Sequence, residues 1–360
     1  MMTVPQRSIP VAVLGATGAV GQTFIRLLAA HPWFRLTEVA ASARSAGKSY
    51  AEAAHWISGS MPDDAARLPV VDCDPDVVSA PIVFSALDSS VAGDVEQAFA
   101  RAGRLVLTNA RNHRMDADVP LVIPEVNADH LGLLATQRAR RRWTGGIVAN
   151  GNCAAIVVTM ALAPLQRAFG IEHVFVATLQ AVSGAGYPGV PTLDILANVI
   201  PFIGGGEEEK IETETPKMLG TLRGEGIEPA PLRISAQVHR VPVENGHTAS
   251  MAITLGRRAA PSEVHAVLTG WRSAIADRAL PSAPGEPLVL VEEHDRPQPR
   301  HDAGRGGGMT VSVGRLRADP IGDVRMVACG HNTVRGAAGA SILNAELLVA
   351  DGWLPDDGAL

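Results

Sequence analysis

Three glycines spaced three residues apart, Gly15, Gly18 and Gly21, place the strongest constraint on how this chain can fold. An apolar run over residues 11–14 precedes them, and residues 18–30 follow with apolar side chains at helical spacing. Glycines in a strand-to-helix turn let the backbone approach a phosphate, and the helix N-terminus offers free N–H groups. The pattern predicts a dinucleotide-binding turn. An ordinary tight turn is the alternative, because G-x-x-G-x-x-G differs from the commoner G-x-G-x-x-G.

The residues after the second predicted strand, at 34–41, favour NADP(H) over NAD. An NAD site usually has an acid at the end of this strand. Here Glu38 is in mid-strand, and the chain continues into serines and cations over 42–48. Hydroxyls and cations suit a 2′-phosphate, although a solvated loop is the alternative for Arg44 and Lys48. The candidate cofactor contacts are Gly15, Thr17, Gly18, Ala19, Val20, Ser42, Arg44 and Ser45.

Strand-like and helix-like runs alternate over residues 1–150, which predicts a Rossmann-like, doubly wound parallel sheet. Over 151–330 the strand-like runs are longer and follow one another, which favours an α+β domain with a mixed sheet. The one clear helix predicted among these strands covers 261–278 and begins with proline. Residues 336–350 return to helical spacing. We therefore expect an α/β chain of two domains.

Composition and charge exclude several classes of partner. The 360 residues are 46% hydrophobic and 19% charged, as expected for a well-buried globular chain. A net charge of −6 gives no dense basic face for nucleic acid or an anionic membrane, and no apolar run is long enough to span a bilayer. Three separated cysteines, none in a C-x-x-C pair, predict neither a disulfide framework nor a metal site. We expect a soluble cytoplasmic protein.

Cys153 lies in the string ANGNCAAI at 149–156, where a predicted strand gives way to a helix predicted over 154–169. A thiol at a helix N-terminus has a depressed pKa, because the helix dipole favours the thiolate. The thiolate is the attacking species in covalent catalysis. Neither Cys73, in an Asp-rich loop, nor Cys329, in an apolar strand, has that setting. The alternative for Cys153 is a small buried hydrophobic residue.

His247 is the candidate proton acceptor for such a cysteine. It lies in RVPVENGHT at 240–248, a strand, a glycine turn and a second strand, with Arg240 seven residues earlier. A turn histidine that faces solvent is the alternative, and the pattern alone leaves both open.

These segments resemble the aspartate-semialdehyde dehydrogenases, in particular the branch found in archaea and fungi. The resemblance covers nearly the whole chain and rests on long, specific strings. They are GATGAVGQ at 15–22, RSAGKSY at 44–50, NHRMDADVPLVIPEVN at 112–127, GNCAAI at 151–156, QAVSGAGYPGVPTLDILANVIPFIGGGEEEKIETET at 180–215, HRVPVENGHT at 239–248 and HNTVRGAAGASILNAELL at 331–348. The family interconverts L-aspartate 4-semialdehyde, phosphate and NADP+ with 4-phospho-L-aspartate and NADPH, a step toward lysine, threonine, methionine and isoleucine.

The resemblance implies a role for each candidate residue. The Cys153 thiolate attacks the acyl phosphate and forms a thioester, His247 is the general acid/base, and Gln180 orients the acyl group. The substrate contacts are Arg240 for the carboxylate, Arg114 and Lys210 for phosphate, and Glu207 for the amine, with Ser183 lining the same site. Which glutamate of 207–209 reaches the substrate is left open. A solvated helix start is the alternative for the phosphate and amine contacts.

The resemblance also implies how the two domains are used. Asn332 corresponds to an asparagine that contacts the nicotinamide amide, so residues 331–360 are expected to complete the NADP-binding domain of 1–150. The domain over 151–330 carries the catalytic residues and the sheet through which subunits dimerise, which gives a homodimer or homotetramer.

Two other functions remain open at this stage. An archaeal relative reduces malonyl-CoA through the same thioester and hydride steps, so an NADPH-dependent acyl-CoA reductase is the first alternative. A non-catalytic NADP-binding regulatory protein is the second, and the presence of both Cys153 and His247 weighs against it.

Overall fold

The computed structural model describes residues 8–354 and contains two six-stranded sheets. Residues 1–7 and 355–360, part of the predicted nucleotide-binding domain, lie outside the described residues. The elements up to the end of the first sheet are β1 (Ile9–Leu14), α1 (Ala19–Leu28), β2 (Phe34–Ala41), α2 (Tyr50–Ala53), α3 (Asp63–Ala66), β3 (Val70–Asp72), β4 (Ile82–Ser85), α4 (Ser89–Arg101), β5 (Leu105–Thr108), α5 (Pro124–Asn127), α6 (Leu133–Arg141) and β6 (Gly146–Ala149).

The first sheet is fully parallel, with the strand order β3-β2-β1-β4-β5-β6. Its central strands are apolar on both faces: Val11 and Ile82 on one face, and Ala12 and Val83 on the other, are completely buried, as helices on both sides require. The predicted Rossmann-like, doubly wound sheet is confirmed. The order reverses between β1 and β4, and ligands of such sheets bind outside the carboxyl ends of the strands at this point.

The second sheet is mixed, as predicted, with the order β10-β7-β11-β14-β13-β12. Its outermost pairs, β10 with β7 and β12 with β13, are parallel, and the inner pairs are antiparallel. The remaining elements are α7 (Cys153–Phe169), β7 (Ile171–Gln180), α8 (Thr192–Ile195), α9 (Glu207–Met218), β8 (Thr221–Arg223), β9 (Gly226–Glu228), β10 (Arg233–Arg240), β11 (His247–Leu255), α10 (Pro261–Thr269), β12 (Leu288–Leu290), α11 (Pro299–Asp302), β13 (Val311–Ala318), β14 (Val324–Gly330) and α12 (Gly339–Ala350).

The end of the described chain returns to the first sheet. A π-helical turn, Val334–Ala338, leads into α12, which packs against β4, β5 and α1. Ile342 and Leu343 share one hydrophobic core with Ile82 and Leu107. The π-helical turn itself contacts α7, the helix that begins at Cys153. The C-terminal segment therefore contacts both the first sheet and the helix that carries the cysteine.

Two helices differ from the sequence prediction. The helix predicted over 261–278 ends at Thr269, where Gly270 follows, and beyond it the Ala274 N–H donates to the Glu125 carbonyl. Helix α9 was expected at most as a solvated helix start at its glutamates, whereas it runs on to Met218 and buries several of its charged side chains. Within residues 8–354, no helix combines the length and apolar character needed to cross a bilayer.

Candidate active site

The glycine turn has the shape that a pyrophosphate needs. Gly15 has φ +68°, and a Cβ there would lie 2.5 Å from the Ala86 carbonyl oxygen. A Cβ at Gly21 would lie 2.4 Å from the Gly15 oxygen, so glycine lets α1 pack close to the turn. No side chain caps α1 at Gly18, which is exposed, so the N–H groups of the first turn remain open to a ligand. Thr17, Ala19 and Val20 are half-buried beside them.

The residues that follow the C-terminal end of β2 suit the 2′-phosphate of NADP better than the unmodified ribose hydroxyl of NAD. Ser42 and Arg44 are exposed directly after β2, with Ser45 half-buried beside them. Glu38 cannot serve as the ribose acid, since its carboxylate accepts hydrogen bonds from the Ser79 N–H and hydroxyl and from the Ala80 N–H. The chain therefore offers hydroxyls and a cation, and no free carboxylate from this strand, at the end of β2.

Cys153 is the first residue of α7, and Asn152 caps that helix. The Asn152 side-chain oxygen accepts the N–H groups of Ala154 and Ala155 at 3.0 Å each, so the turn before the cysteine is fixed. The Asn152 Nδ2 donates to Glu207 Oε1 at 2.8 Å. On its other side Cys153 packs against Gly336 of the π-helical turn, where an added Cβ would lie 2.5 Å from the cysteine Cβ.

The structure brings Cys153 and His247 together. Sγ lies 3.2 Å from Nε2 of His247, the first residue of β11. The Ala181 N–H donates to Nδ1 of the same ring at 3.1 Å, so Nδ1 carries the lone pair and the ring proton is on Nε2. In this tautomer Nε2–H donates to Sγ, which differs from the proton acceptor expected from the sequence.

Burial sets the protonation states of this pair. It raises the pKa of the Cys153 thiol to about 12, with a further contribution from Glu207, while Arg114 and Arg240 act in the opposite direction. Burial, followed by the nearby Arg240 guanidinium, lowers the pKa of His247 to about 3. The expected depression of the thiol pKa by the helix N-terminus is therefore wrong: the thiol and the imidazole are both neutral at ordinary pH.

Gln180 and Arg240 lie side by side because β7 and β10 run parallel and end in register. Both are buried, at 1% and 6% exposure, yet both border the cavity in front of Cys153. Arg240 Nη1 donates to the Ala181 carbonyl at 2.7 Å, which fixes the guanidinium and leaves other donors for a ligand. Gly184 permits this approach, since a Cβ there would lie 2.9 Å from Arg240 Nη1.

A second group of charges faces the same cavity. Arg114 lies in the loop after β5, and Glu207 and Lys210 lie on the first turn of α9, with Lys210 Nζ 3.1 Å from Glu207 Oε2. Of the three consecutive glutamates, only Glu207 borders the cavity. Glu208 instead accepts the Val238 N–H, and Glu209 is exposed.

Asn332 is tied to the protein by both ends of its amide. Its Nδ2 donates to Ser183 Oγ at 2.8 Å, and its Oδ1 accepts the N–H of Gly246 at 2.9 Å, one residue before His247. Ser183 and Asn332 both border the cavity, and one Nδ2 hydrogen of Asn332 remains for a ligand.

One cavity of about 550 Å³ joins these groups to the nucleotide turn. Its lining runs from Val20 at the start of α1 to Cys153, Gln180 and Arg240. A dinucleotide on the turn and a small acyl compound at the cysteine would thus share one crevice. Residues 8–354 contain no cluster of three or more His, Cys, Asp or Glu side chains suited to a metal ion.

Sequence reasoning missed several residues of this site. Asn152 could have been found as a helix cap directly before the predicted nucleophile. Gly336 carries no local signal, since its role depends on a contact with Cys153 made across the fold. Glu214 and Lys217 are buried on α9 behind the cavity, and a charged run gives no sign of burial.

Family models and relatives match over both sheets. A model described as "Semialdehyde dehydrogenase, NAD binding domain" matches residues 10–134, and one described as "Semialdehyde dehydrogenase, dimerisation domain" matches residues 162–335. The aspartate-semialdehyde dehydrogenase of Archaeoglobus fulgidus is 51% identical over 342 residues, covering 95% of this chain and 98% of that protein. The Schizosaccharomyces pombe enzyme of the same name is 46% identical over 353 residues, covering 96% and 99%.

A solved structure shares the whole fold. The crystal structure of aspartate semialdehyde dehydrogenase with NADP from Candida albicans superimposes with a TM-score of 0.89 at 40% identity, covering 96% of this chain and 99% of that one. Together with the sequence matches, this shows that the chain belongs to the aspartate-semialdehyde dehydrogenase family.

Proposed function

We propose that this protein is an NADP-dependent aspartate-semialdehyde dehydrogenase that reduces 4-phospho-L-aspartate to L-aspartate 4-semialdehyde through a thioester on Cys153. One observation carries the proposal: the buried His247 imidazole lies 3.2 Å from the thiol of Cys153, which lines the crevice that also reaches Val20 at the start of α1. Around them the cavity presents Arg114, Arg240 and Lys210, as a substrate with a carboxylate and a phosphate requires.

Residues of the first domain hold the cofactor in this proposal. Gly15, Thr17, Gly18, Ala19 and Val20 bind the pyrophosphate at the start of α1, Ser42, Arg44 and Ser45 bind the 2′-phosphate, and Asn332 binds the nicotinamide amide. When bound, NADPH supplies the hydride that reduces the thioester carbonyl. The C. albicans relative solved with NADP supports this cofactor.

Arg44→Ala tests the 2′-phosphate contact. We expect the Kd for NADP to rise roughly tenfold, because one charge-assisted hydrogen bond is lost, while the weaker binding of NAD stays unchanged. Fluorescence titration with both nucleotides measures the two values. Arg35→Ala, an exposed arginine at the other end of β2, is the matched control and should affect neither. Equal losses for NADP and NAD would refute the assignment.

In the acyl-transfer step the Cys153 sulfur attacks the acyl carbon and the bond to phosphate breaks. The thiol is neutral, so it loses its proton as the C–S bond forms. The leaving phosphate takes up that proton and departs as hydrogen phosphate. Arg114 and Lys210 attract the phosphate, and Gln180 orients the carbonyl from the end of β7.

His247 acts on the carbonyl oxygen as a hydrogen-bond donor. Its proton is on Nε2, and the ring is neutral because burial lowers its pKa to about 3. A neutral imidazole can stabilise the oxyanion of both tetrahedral intermediates without transferring its proton. When the second intermediate collapses, the aldehyde forms and the Cys153 thiolate takes a proton from solvent. In this proposal His247 is therefore a hydrogen-bond donor to the oxyanion, in place of the general acid/base expected from the sequence.

The remaining contacts select the substrate. Arg240 binds the carboxylate in two-pronged geometry, which guanidinium suits better than ammonium. Glu207, whose negative charge is held next to Asn152 and Lys210, binds the substrate amine, and Ser183 lines the site. An acyl-CoA thioester would need room for a long pantetheine chain and would gain nothing from an amine-binding carboxylate.

We also propose how the chain is organised and assembled. Residues 1–150 with 331–360 form the NADP-binding domain, and 151–330 form the catalytic and dimerisation domain. Phe175 and Leu179 of β7 are 46% and 45% exposed on the outer face of the second sheet, where a second subunit would cover them. The assembled enzyme is a homodimer or homotetramer in the cytoplasm, and the three free cysteines support a reducing compartment.

A substrate panel tests the proposed function directly. With NADPH, we expect the purified enzyme to reduce 4-phospho-L-aspartate, and with NADP+ to oxidise L-aspartate 4-semialdehyde only when phosphate or arsenate is present. Glutamyl phosphate and malonyl-CoA, which lack the matching length or amine, should be turned over at least about a hundredfold more slowly. Preferred turnover of malonyl-CoA would replace this function with the acyl-CoA reductase, and no turnover by folded, reduced enzyme would favour a regulatory protein.

A further inference from the structure

Helix α9 carries four charged residues, Glu207, Lys210, Glu214 and Lys217, at regular intervals. The spacing of three or four residues puts them along one face of the helix. Glu207 and Lys210 border the cavity. Glu214 and Lys217 are buried one and two turns further along, at 2% and 6% exposure, and neither lines that cavity. Charged side chains are almost never so deeply buried unless each has a partner.

The Glu214 carboxylate joins two separate parts of the site. Its Oε1 accepts a hydrogen bond from Arg114 Nη1 at 2.9 Å, and its Oε2 accepts the backbone N–H of Asn152 at 2.6 Å. Asn152 caps α7 and is followed directly by Cys153. One rigid group therefore sets both the position of the guanidinium and the position of the turn that carries the nucleophile.

Lys217 holds the same arginine from the other side, through the main chain. Its Nζ donates to the carbonyls of Arg114, Asp116 and Val119 at 2.7, 2.8 and 3.0 Å. Arg114 Nη2 also donates to the Asn109 carbonyl at 2.7 Å. The loop is thus anchored independently of Glu214. Losing the carboxylate would leave the loop in place but would remove one of the hydrogen bonds that hold the guanidinium and the one that holds the Asn152 N–H.

We propose that Glu214 is a positioning residue for acyl transfer: it holds the phosphate-binding Arg114 and the Cys153 turn at a fixed separation. The inference rests on the proposed roles of Arg114 and Cys153. Phosphate expulsion and sulfur attack occur at opposite ends of one bond, and an error of about 1 Å in such an arrangement can cost about a hundredfold in rate. The Glu214 carboxylate, which accepts hydrogen bonds from both Arg114 and the Asn152 N–H, keeps the phosphate-binding group and the nucleophile at their correct separation.

Glu214→Gln tests the proposal in the oxidative direction, where phosphate is a substrate. Arg114 and Asn152 donate to different oxygens of the carboxylate, and an amide replaces one of these oxygens with an NH2 donor that faces another donor. We therefore expect the KM for phosphate to rise at least about tenfold and kcat to fall, with the KM for NADP+ unchanged. Glu214→Asp keeps the charge but is one methylene shorter, so the same pattern is expected from it. Glu212→Gln is the matched control: Glu212 lies on the same helix and accepts only the Ala236 backbone N–H, and its variant should behave as wild type.

A double variant separates positioning from simple loss of stability. Arg114→Ala alone should raise the KM for phosphate, and adding Glu214→Gln to it should give no further rise, because the guanidinium that Glu214 holds is gone. An unchanged phosphate KM in Arg114→Ala would overturn the role of Arg114 and this proposal with it. A raised KM in Arg114→Ala but a wild-type value in Glu214→Gln and Glu214→Asp would overturn the positioning role alone, as would a full additional rise in the double variant.

Discussion

Replacing Cys153 with serine is expected to lower turnover by at least about a thousandfold while NADPH binds as in the wild type. A hydroxyl is a far weaker nucleophile than sulfur, and the surrounding site is already unfavourable to an anion, since burial raises the thiol pKa to about 12. Serine is nearly the same size and fills the same space against Gly336, so the fold should be retained. Steady-state kinetics and nucleotide titration measure the two properties.

Cys73→Ser serves as the control for this variant. Cys73 is also a free, half-buried cysteine, but its thiol donates to the Ala41 carbonyl outside the catalytic cavity. Its variant should keep wild-type turnover. Activity of Cys153→Ser within tenfold of the wild type would show that the reaction does not pass through a covalent sulfur intermediate.

Removing the His247 side chain is expected to have the second-largest effect. His247→Ala should lower kcat by about 10²–10³-fold, the usual loss when one donor to an oxyanion is removed. His247→Gln, which can still present an N–H, should recover part of that loss. His265→Ala is the control, because His265 is a half-buried histidine that does not line the catalytic cavity and whose ring Nε2 pairs with Glu292.

The pH profile of the wild type separates a donor from an acid/base. A histidine whose pKa is lowered to about 3 stays neutral throughout the pH range in which the enzyme is assayed. The pH dependence of kcat should therefore show no ionisation of His247 near the ordinary histidine pKa. An ionisation in that range that disappears in His247→Gln would show that the ring gains and loses a proton during turnover, contrary to the donor role.

The sequence predicts those features whose physics is local. The glycine turn follows from the conformations that only glycine adopts, and the helix start at Cys153 follows from a change in residue pattern. The alternation of strands and helices was sufficient for the parallel sheet of the first domain and the mixed sheet of the second. The match to a known family then supplied residue roles that spacing alone left open.

What could not be predicted depends on burial and on contacts between distant segments. The thiol pKa is raised because the fold covers Cys153, and a helix N-terminus by itself indicates the opposite shift. The burial of helix α9 was missed because charged residues normally indicate solvent, whereas Glu214 and Lys217 have their partners in a loop of the first domain. The tautomer of His247 is set by the Ala181 N–H, which approaches only once β7 and β11 are paired.

The most direct test of the account is a search for the covalent intermediate itself. The enzyme is mixed with 4-phospho-L-aspartate in the absence of NADPH, quenched in acid, and analysed by intact-mass and peptide mass spectrometry together with a phosphate assay. We expect one aspartyl group per subunit, attached to Cys153, released by hydroxylamine and formed with one equivalent of phosphate. An unmodified Cys153 in enzyme that reduces the same substrate once NADPH is added would contradict the account.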